Sequence, residues 1–255
     1  MITIEDQVKR YLSMLNNMVK DEEETANGIK IPYSDIASVW KNFIPGKCYS
    51  FFATEKFLNA WRINMLWKMA KNNTPIYILK GGMDFDKDFV DLLCLESKLD
   101  ITDVEYAPLK KENYEKLSAT LDNISTFPIY WVSDDIIPQN TAPQVCVKTL
   151  SLRKWRKEAQ ALWDEARDAN AVLILFVKIP SGFEEDFRTL YEPYEIILPE
   201  NLSSHIAIIK TMKYTLKEHN YLLSAKLKQT NSLKKDSFMF YCTTNYPHRI
   251  EEFTI

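Results

Sequence analysis

The sequence predicts an α/β fold with a mainly parallel sheet followed by an antiparallel last third. Short continuous apolar runs, typical of strands buried on both faces, alternate with stretches of 12 to 18 residues that have helical periodicity. The chain has 255 residues, of which 46% are hydrophobic and 26% charged, so it is long enough to bury a sizeable core. Together these observations favour βαβ units over an all-helical or all-β architecture.

Turn signals divide the chain into these elements. Pro45-Gly46 precedes the first long apolar run, Asn72 to Pro75 separates a helical stretch from the next run, and Pro180 to Gly182 follows the most apolar run. The predicted strands are Lys47 to Ala53, Ile76 to Leu79, Phe127 to Val132, Val145 to Leu150, Ala171 to Val177, Tyr194 to Leu198 and His205 to Met212, with a hairpin of Tyr221 to Leu227 and Ser237 to Thr243. The predicted helices are Leu58 to Lys71, Asp84 to Ser97, Lys110 to Ile124 and Leu152 to Asn170.

The first 28 residues are predicted to form a separate amphipathic helix and linker. Val8, Leu12, Leu15 and Val19 recur at helical spacing, and the acidic run Asp21 to Glu24 ends the pattern. We therefore divide the chain into residues 1–28 and one domain of residues 29–255. The apolar face of this helix either docks on a partner or packs on its own domain, and both alternatives stay open.

Composition and charge narrow the classes of function. A formal charge of -3 gives no global positive field, so any contact with nucleic acid has to come from a local patch. The four cysteines are far apart and have no ligand spacing with histidine, so neither a metal nor a cofactor is predicted. No signal-peptide pattern and no apolar run of roughly 18 residues is present, so we expect a cytoplasmic protein without a membrane contact.

The turn after the first long strand is where a parallel α/β protein would bind a phosphate group. A phosphate loop needs glycines, a lysine and a serine or threonine in sequence. Five of the 255 residues are glycine, none of them between Ala53 and Ala60, and Glu55 brings a carboxylate to this turn. The turn at Thr54 to Asn59 is therefore predicted to be an ordinary connection between a strand and a helix.

Two other groups of residues are candidates for chemistry or binding. Asp134-Asp135 follows a predicted strand. Its carboxylates either serve acid/base chemistry or metal binding, or they simply cap a helix. Basic side chains cluster in the tail, at Lys226, Lys228, Lys234 and Lys235, and again from Arg153 to Lys157. Each basic cluster is either a solvated face or a set of phosphate contacts. No nucleophile stands near a histidine in a catalytic pattern, so no catalytic residue is predicted.

Several stretches of the chain follow one another in an order found in one known family. Phe43 to Lys47, Leu92 to Asp135, Leu162 to Gly182 and Leu223 to Phe240 are similar to successive segments of that family. The sequence in this way resembles the C-terminal ATPase domain of DnaB-type replicative helicases over about residues 30 to 253. The resemblance implies a RecA-like, mainly parallel sheet flanked by helices, with an antiparallel C-terminal extension.

The sequence departs from that family at the motifs for chemistry. Leu58, Asn59 and Ala60 stand at the Gly, Lys and Thr positions of the phosphate loop, so residues Thr54, Glu55, Lys56, Leu58, Asn59 and Ala60 form a degenerate version of it. The resemblance also places Gly82 at the water-activating acid, Lys148 at the magnesium aspartate, and Lys226-Leu227-Lys228 at the intersubunit Lys-x-Arg finger. Because phosphoryl transfer needs these groups together, loss of ATP hydrolysis is expected.

The resemblance and these departures imply a non-catalytic, helicase-like protein that acts through protein contacts and is linked to DNA replication. The expected partner is a replicative helicase or a second copy of the chain, docked through Val8, Leu12, Leu15 and Val19. One alternative is a nucleic-acid-binding module that uses the basic tail. The other is an enzyme with a relocated site near Asp134-Asp135.

Overall fold

The chain forms eleven strands and six helices within the residues that the structure describes. The computed structural model describes residues 28–79, 85–105, 110–132, 136–139, 142–180, 205–216, 220–229, 237–242 and 249–252. The strands are β1 (Ile29–Lys30), β2 (Asn42–Phe43), β3 (Cys48–Ala53), β4 (Ile76–Ile78), β5 (Ile129–Trp131), β6 (Val145–Ser151), β7 (Val172–Lys178), β8 (His205–Leu216), β9 (Asn220–Gln229), β10 (Ser237–Cys242) and β11 (Ile250–Glu252). The helices are α1 (Ser34–Trp40), α2 (Glu55–Lys71), α3 (Phe85–Ser97), α4 (Ile101–Glu105), α5 (Lys111–Ile124) and α6 (Leu152–Asp168).

Nine of the described strands form one mixed sheet in the order β11-β10-β9-β8-β3-β7-β6-β4-β5. Neighbours run parallel from β5 through β4, β6, β7 and β3 to β8. From β8 to β11 they run antiparallel. β1 and β2 form a separate antiparallel pair. The predicted α/β class, with its parallel sheet and antiparallel C-terminal extension, is confirmed.

The central strands β3 and β7 are buried on both faces, which explains their uninterrupted apolar sequences. Tyr49 and Phe51 of β3 pack in one core with α1 and α2, where Trp40 and Trp61 are buried. Phe52, on the other face of the same strand, packs in a second core that contains Trp155 and Trp163 of α6. Because side chains alternate between the faces of a strand, α2 and α6 cover opposite faces of the sheet.

The predicted elements differ from the observed ones mainly at short or polar segments. The helix predicted from Leu58 begins three residues earlier, at Glu55. Helices α1 and α4 and strands β1, β2 and β11 were not predicted. The strand predicted at Tyr194 to Leu198 lies outside the described residues. The N-terminal helix with Val8, Leu12, Leu15 and Val19 also lies outside them, so the division into residues 1–28 and 29–255 stays a prediction.

Candidate functional site

The three central parallel strands end level with one another and form a carboxyl edge. Ala53 at the end of β3 is the backbone partner of Lys178 on β7, and Lys178 is the partner of Ser151 on β6. Helix α2 starts two residues after Ala53, and helix α6 starts directly after Ser151. The edge is therefore flanked by two helix N-termini, one on each face of the sheet, and each carries a partial positive charge.

One residue connects β3 to α2 at the position where a phosphate loop would stand. Thr54 is extended, with φ -65° and ψ 155°, and its carbonyl accepts a hydrogen bond from Leu58 N at 2.8 Å in the first turn of the helix. Glu55 and Lys56 are exposed, Asn59 is half-buried, and Leu58 and Ala60 are buried against the sheet. The connection therefore contains no loop whose backbone N–H groups could surround a phosphate.

A carboxylate of the chain itself lies at the N-terminus of α2. Glu55 Oε2 is 2.5 Å from Nζ of Lys178, and both side chains are substantially exposed. The two residues meet because Ala53 and Lys178 are register partners on neighbouring strands. Sequence spacing did not signal this ion pair, since it joins positions far apart along the chain. Glu55 thus supplies the anion that the α2 N-terminus and Lys178 favour.

The third strand of the edge, β6, contains Lys148, which the resemblance places at the magnesium aspartate. Lys148 lies inside β6, three residues before Ser151, and its side chain is buried between the sheet and α6 with Nζ 3.7 Å from Glu158 Oε2. Ser151 occupies the edge position, where its Oγ accepts a hydrogen bond from Lys154 N at 3.3 Å and caps α6. The placement of Lys148 at the position of the magnesium aspartate stays a prediction, and neither Lys148 nor Ser151 provides a carboxylate there.

Basic residues occupy the first turns of α6. Arg153, Lys154 and Lys157 are exposed, while Trp155 between them is buried and donates its indole N–H to Ser50 Oγ at 3.3 Å. No acidic residue lies in the first turn of this helix. The predicted cluster of Arg153 to Lys157 is therefore brought to the carboxyl edge, on the opposite face from Glu55 and Lys56.

The other predicted residues lie either in β9 or outside the described residues. Lys226 and Lys228 lie in β9, where they are backbone partners of Ile208 and Ile206 on β8. Lys234 and Lys235, Asp134-Asp135 and Gly82 lie outside the described residues. The alternatives that depend on them stay predictions.

The N-terminus of α1 is held by the last strand. Glu252 accepts hydrogen bonds from the Asp35 backbone N–H at 2.9 Å and from Ser34 Oγ at 2.8 Å. Burial, together with the nearby Glu252 carboxylate, raises the pKa of Asp35. Lys68 lies 4.0 Å from the Tyr33 ring centre, and burial lowers its pKa. These contacts join the C-terminal strand to α1 and α2 and do not form part of the carboxyl edge.

A buried ion pair connects α2 to α3. Arg62 donates two hydrogen bonds to the Asp88 carboxylate, at 2.7 and 2.5 Å, and both side chains are almost fully buried. Nothing in the spacing of these residues signalled the pair in advance. Because the two charges are paired with each other inside the core, we interpret the pair as an anchor for α2.

Metal-binding clusters and membrane-spanning helices are both absent from the described part of the chain. No group of three or more histidine, cysteine, aspartate or glutamate side chains there is arranged to hold a metal ion. None of its helices has the length and apolarity that a membrane span requires.

Comparison with solved structures identifies the fold. One solved ATPase domain superposes on the chain with a TM-score of 0.74 and 10% sequence identity, over 97% of this chain and 99% of that domain. The chain has a RecA-like α/β fold. A DnaB-like replicative helicase, solved in a study of its interactions with primase, gives a TM-score of 0.70 and 9% identity over 96% of this chain. This chain spans 66% of the length of that helicase chain.

Comparison at the level of sequence finds no relative. No protein-family model matches the chain, and no curated protein matches it. At 9 and 10% identity, the likeness to the solved structures concerns the fold, and function has to be argued from the residues of the carboxyl edge.

Proposed function

We propose that this chain is a non-catalytic, helicase-like RecA-fold protein that acts through protein–protein contacts. The observation that supports the proposal best is the connection from β3 to α2, which consists of Thr54 alone. A phosphate loop binds nucleotide through the backbone N–H groups of a glycine-rich turn and a lysine at the start of the helix. Here Leu58 and Ala60, at the Gly and Thr positions, are buried, and the half-buried Asn59, at the lysine position, has no charge to offer a phosphate.

The charges at the edge support the same proposal. Catalysis of phosphoryl transfer depends on a phosphate cradle, a metal-binding carboxylate and cationic groups acting together. Glu55 lies at the helix N-terminus, where its carboxylate would repel a phosphate, and its partner Lys178 is already engaged. On β6, Ser151 at the edge and Lys148 below it offer no carboxylate for magnesium.

Candidate partners follow from the proteins that share the fold. The DnaB-like helicase of the comparison was solved in a study of its interactions with primase, so that helicase has a protein partner. We propose a replicative helicase or a second copy of this chain as the partner, in a process linked to DNA replication. The predicted apolar face of Val8, Leu12, Leu15 and Val19 is the proposed contact.

Thermal unfolding in the presence of magnesium-ATP tests the loss of nucleotide binding. A ligand at 100 times its dissociation constant stabilises the folded state by about 2.7 kcal/mol, which is readily measured. We expect no shift of the melting temperature at millimolar ATP, while an active helicase ATPase domain shifts under the same conditions. A clear shift that disappears in Lys56→Ala and Lys178→Ala would contradict the proposal and place a nucleotide at this edge.

Mass photometry of the chain, alone and mixed with a replicative helicase, tests the protein contacts. We expect a complex or a dimer that is weakened when Leu12 and Leu15 are both replaced by Ser, since these changes remove apolar contact area. Replacing the polar Asn16 and Asn17 by Ser provides the control within the same segment. A strict monomer with no complex would contradict the proposed role.

A nucleic-acid-binding module is the second candidate. It is favoured by the placement of Lys226 and Lys228 at alternate positions of one strand, β9, which extends beyond the predicted Tyr221 to Leu227. Phosphate contacts would make binding to single-stranded DNA steeply salt-dependent. If the affinity at low salt is unchanged by Lys226→Ala combined with Lys228→Ala, this candidate is excluded.

A further inference from the structure

The first turns of α6 present three cations on one exposed surface. Arg153 and Lys157 are four residues apart, and Lys154 and Lys157 are three apart, so the three side chains are neighbours on the helix. All three are exposed, whereas Trp155 and Ala159 on the other side of the helix are buried against the sheet. We refer to Arg153, Lys154 and Lys157 as the α6 basic turn.

The α6 basic turn is electrostatically unfavourable in the chain on its own. Cations near a helix N-terminus oppose the helix dipole, and like charges four residues apart repel one another. Among the residues that the structure describes, none forms an ion pair with these three side chains. Other cations of the same region do have partners, as Lys148 has Glu158, Lys178 has Glu55, and Arg167 has Asp164 and Asp168. An external anion would relieve the repulsion.

We propose that the α6 basic turn binds an acidic segment of a partner protein. This inference rests on the proposed role in protein contacts and names the chemistry of one contact surface. The Arg153 guanidinium can bind a carboxylate through two parallel hydrogen bonds, and the two lysines add point charges beside it. Leu152, half-buried at the base of the turn, offers a small apolar contact to the same segment.

The surroundings of the turn favour an acidic protein segment over a nucleic acid. The indoles of α6, Trp155 and Trp163, are buried and donate hydrogen bonds to Ser50 Oγ and Gly46 O, so they offer no platform on which bases could stack. Among the described side chains of α6 the cationic surface is confined to the start of the helix, whereas a nucleic-acid backbone is usually followed by a longer basic groove.

A peptide titration tests the surface directly. The probe is a fluorescently labelled peptide of alternating Glu and Gly, followed by anisotropy at low ionic strength, where charge contacts are strongest. We expect the full chain to bind the peptide and the triple variant R153Q/K154Q/K157Q to bind it at least about tenfold more weakly. Glutamine keeps a high helix propensity, so α6 should be retained.

The matched control removes the same charge from another helix. Lys110, Lys111 and Lys116 are exposed at the start of α5, where Glu112 and Glu115 accompany them. The variant K110Q/K111Q/K116Q is expected to bind the peptide as the natural chain does. Equal weakening in both variants would indicate a response to net charge alone and would overturn the proposal.

Two further results would overturn it. One is the absence of saturable peptide binding by the natural chain at low salt. The other is binding of an oligothymidine of similar charge that is tighter than binding of the peptide and that R153Q/K154Q/K157Q abolishes. That result would assign the turn to nucleic acid.

The melting temperature of the triple variant should be equal to or above that of the natural chain, since the lost charges repel one another. The ATP titration is independent of these outcomes, so failure of the proposed function and failure of this surface are distinguishable.

Discussion

Helices α2 and α6 start at the same edge of the sheet and on opposite faces, yet their first turns differ in charge. The first turn of α2 contains Glu55, which complements the helix dipole and pairs with Lys178. The first turns of α6 contain Arg153, Lys154 and Lys157, for which the described residues offer no ionic partner. The α2 side is therefore satisfied within the chain, whereas the α6 side is open to an external anion.

The two helices are also anchored by different interactions. Arg62 of α2 forms a buried ion pair with Asp88 of α3. Trp155 and Trp163 of α6 are buried against the sheet and donate their indole N–H groups to Ser50 and Gly46. Because both anchors are buried, substitutions there should change stability, while substitutions of the exposed side chains at the edge should change binding.

The largest effect is expected from breaking the α2 anchor. Asp88→Ala leaves the Arg62 charge buried without its partner, and we expect the free energy of unfolding to fall by about 3–5 kcal/mol. Urea denaturation followed by circular dichroism measures the change. The control is Glu115→Ala, which removes an exposed partner of Lys111 and should cost less than about 1 kcal/mol. Similar losses in the two variants would mean that the buried pair is not an anchor.

The α6 anchor is expected to respond less strongly. Trp155→Phe removes the hydrogen bond to Ser50 Oγ and part of a fully buried ring, so we expect a loss of about 1–3 kcal/mol. Tyr114→Phe, at an exposed aromatic residue of α5, is the control and should be nearly neutral. A neutral Trp155→Phe would contradict the packing of α6 against the sheet.

The Glu55–Lys178 pair should contribute little to stability. Both side chains are largely exposed, so the coupling energy from a double-mutant cycle of Glu55→Ala and Lys178→Ala should be about 0.2–1 kcal/mol. The coupling should fall as salt is added. A coupling above about 2 kcal/mol would contradict the exposed geometry, since it is typical of desolvated pairs.

The smallest expected effect is a pH dependence at the start of α1. The pKa of Asp35 is raised in the folded chain, so the folded state binds this proton more tightly than the unfolded state does. Stability is therefore lost as pH rises from the ordinary aspartate pKa through the raised value. Asp35→Asn should melt slightly above the natural chain at pH 7 and lose this advantage below about pH 3. Asp122→Asn, at an exposed position of α5, is the control. A higher melting temperature of Asp35→Asn that persists at low pH would contradict this assignment.

Much of the fold was predictable because the central strands carry continuous apolar runs and the helices have clear periodicity. β11 was not, since Ile250-Glu251-Glu252 is held by tertiary contacts such as Ile250 N donating to Asn64 Oδ1. α2 begins early because Thr54 already terminates β3 and Glu55 suits a first turn. At the edge, the absence of phosphate-loop glycines was visible in the sequence. The pairing of Glu55 with Lys178 required knowing that β7 lies beside β3.

Phosphate release from magnesium-ATP, measured with and without single-stranded DNA, tests the proposed non-catalytic role most directly. The natural chain is expected to release no more phosphate than the buffer does, and Lys56→Ala should behave identically, because Lys56 is the lysine of the first turn of α2. Steady release by the natural chain that Lys56→Ala abolishes would contradict the account and show that this edge hydrolyses ATP.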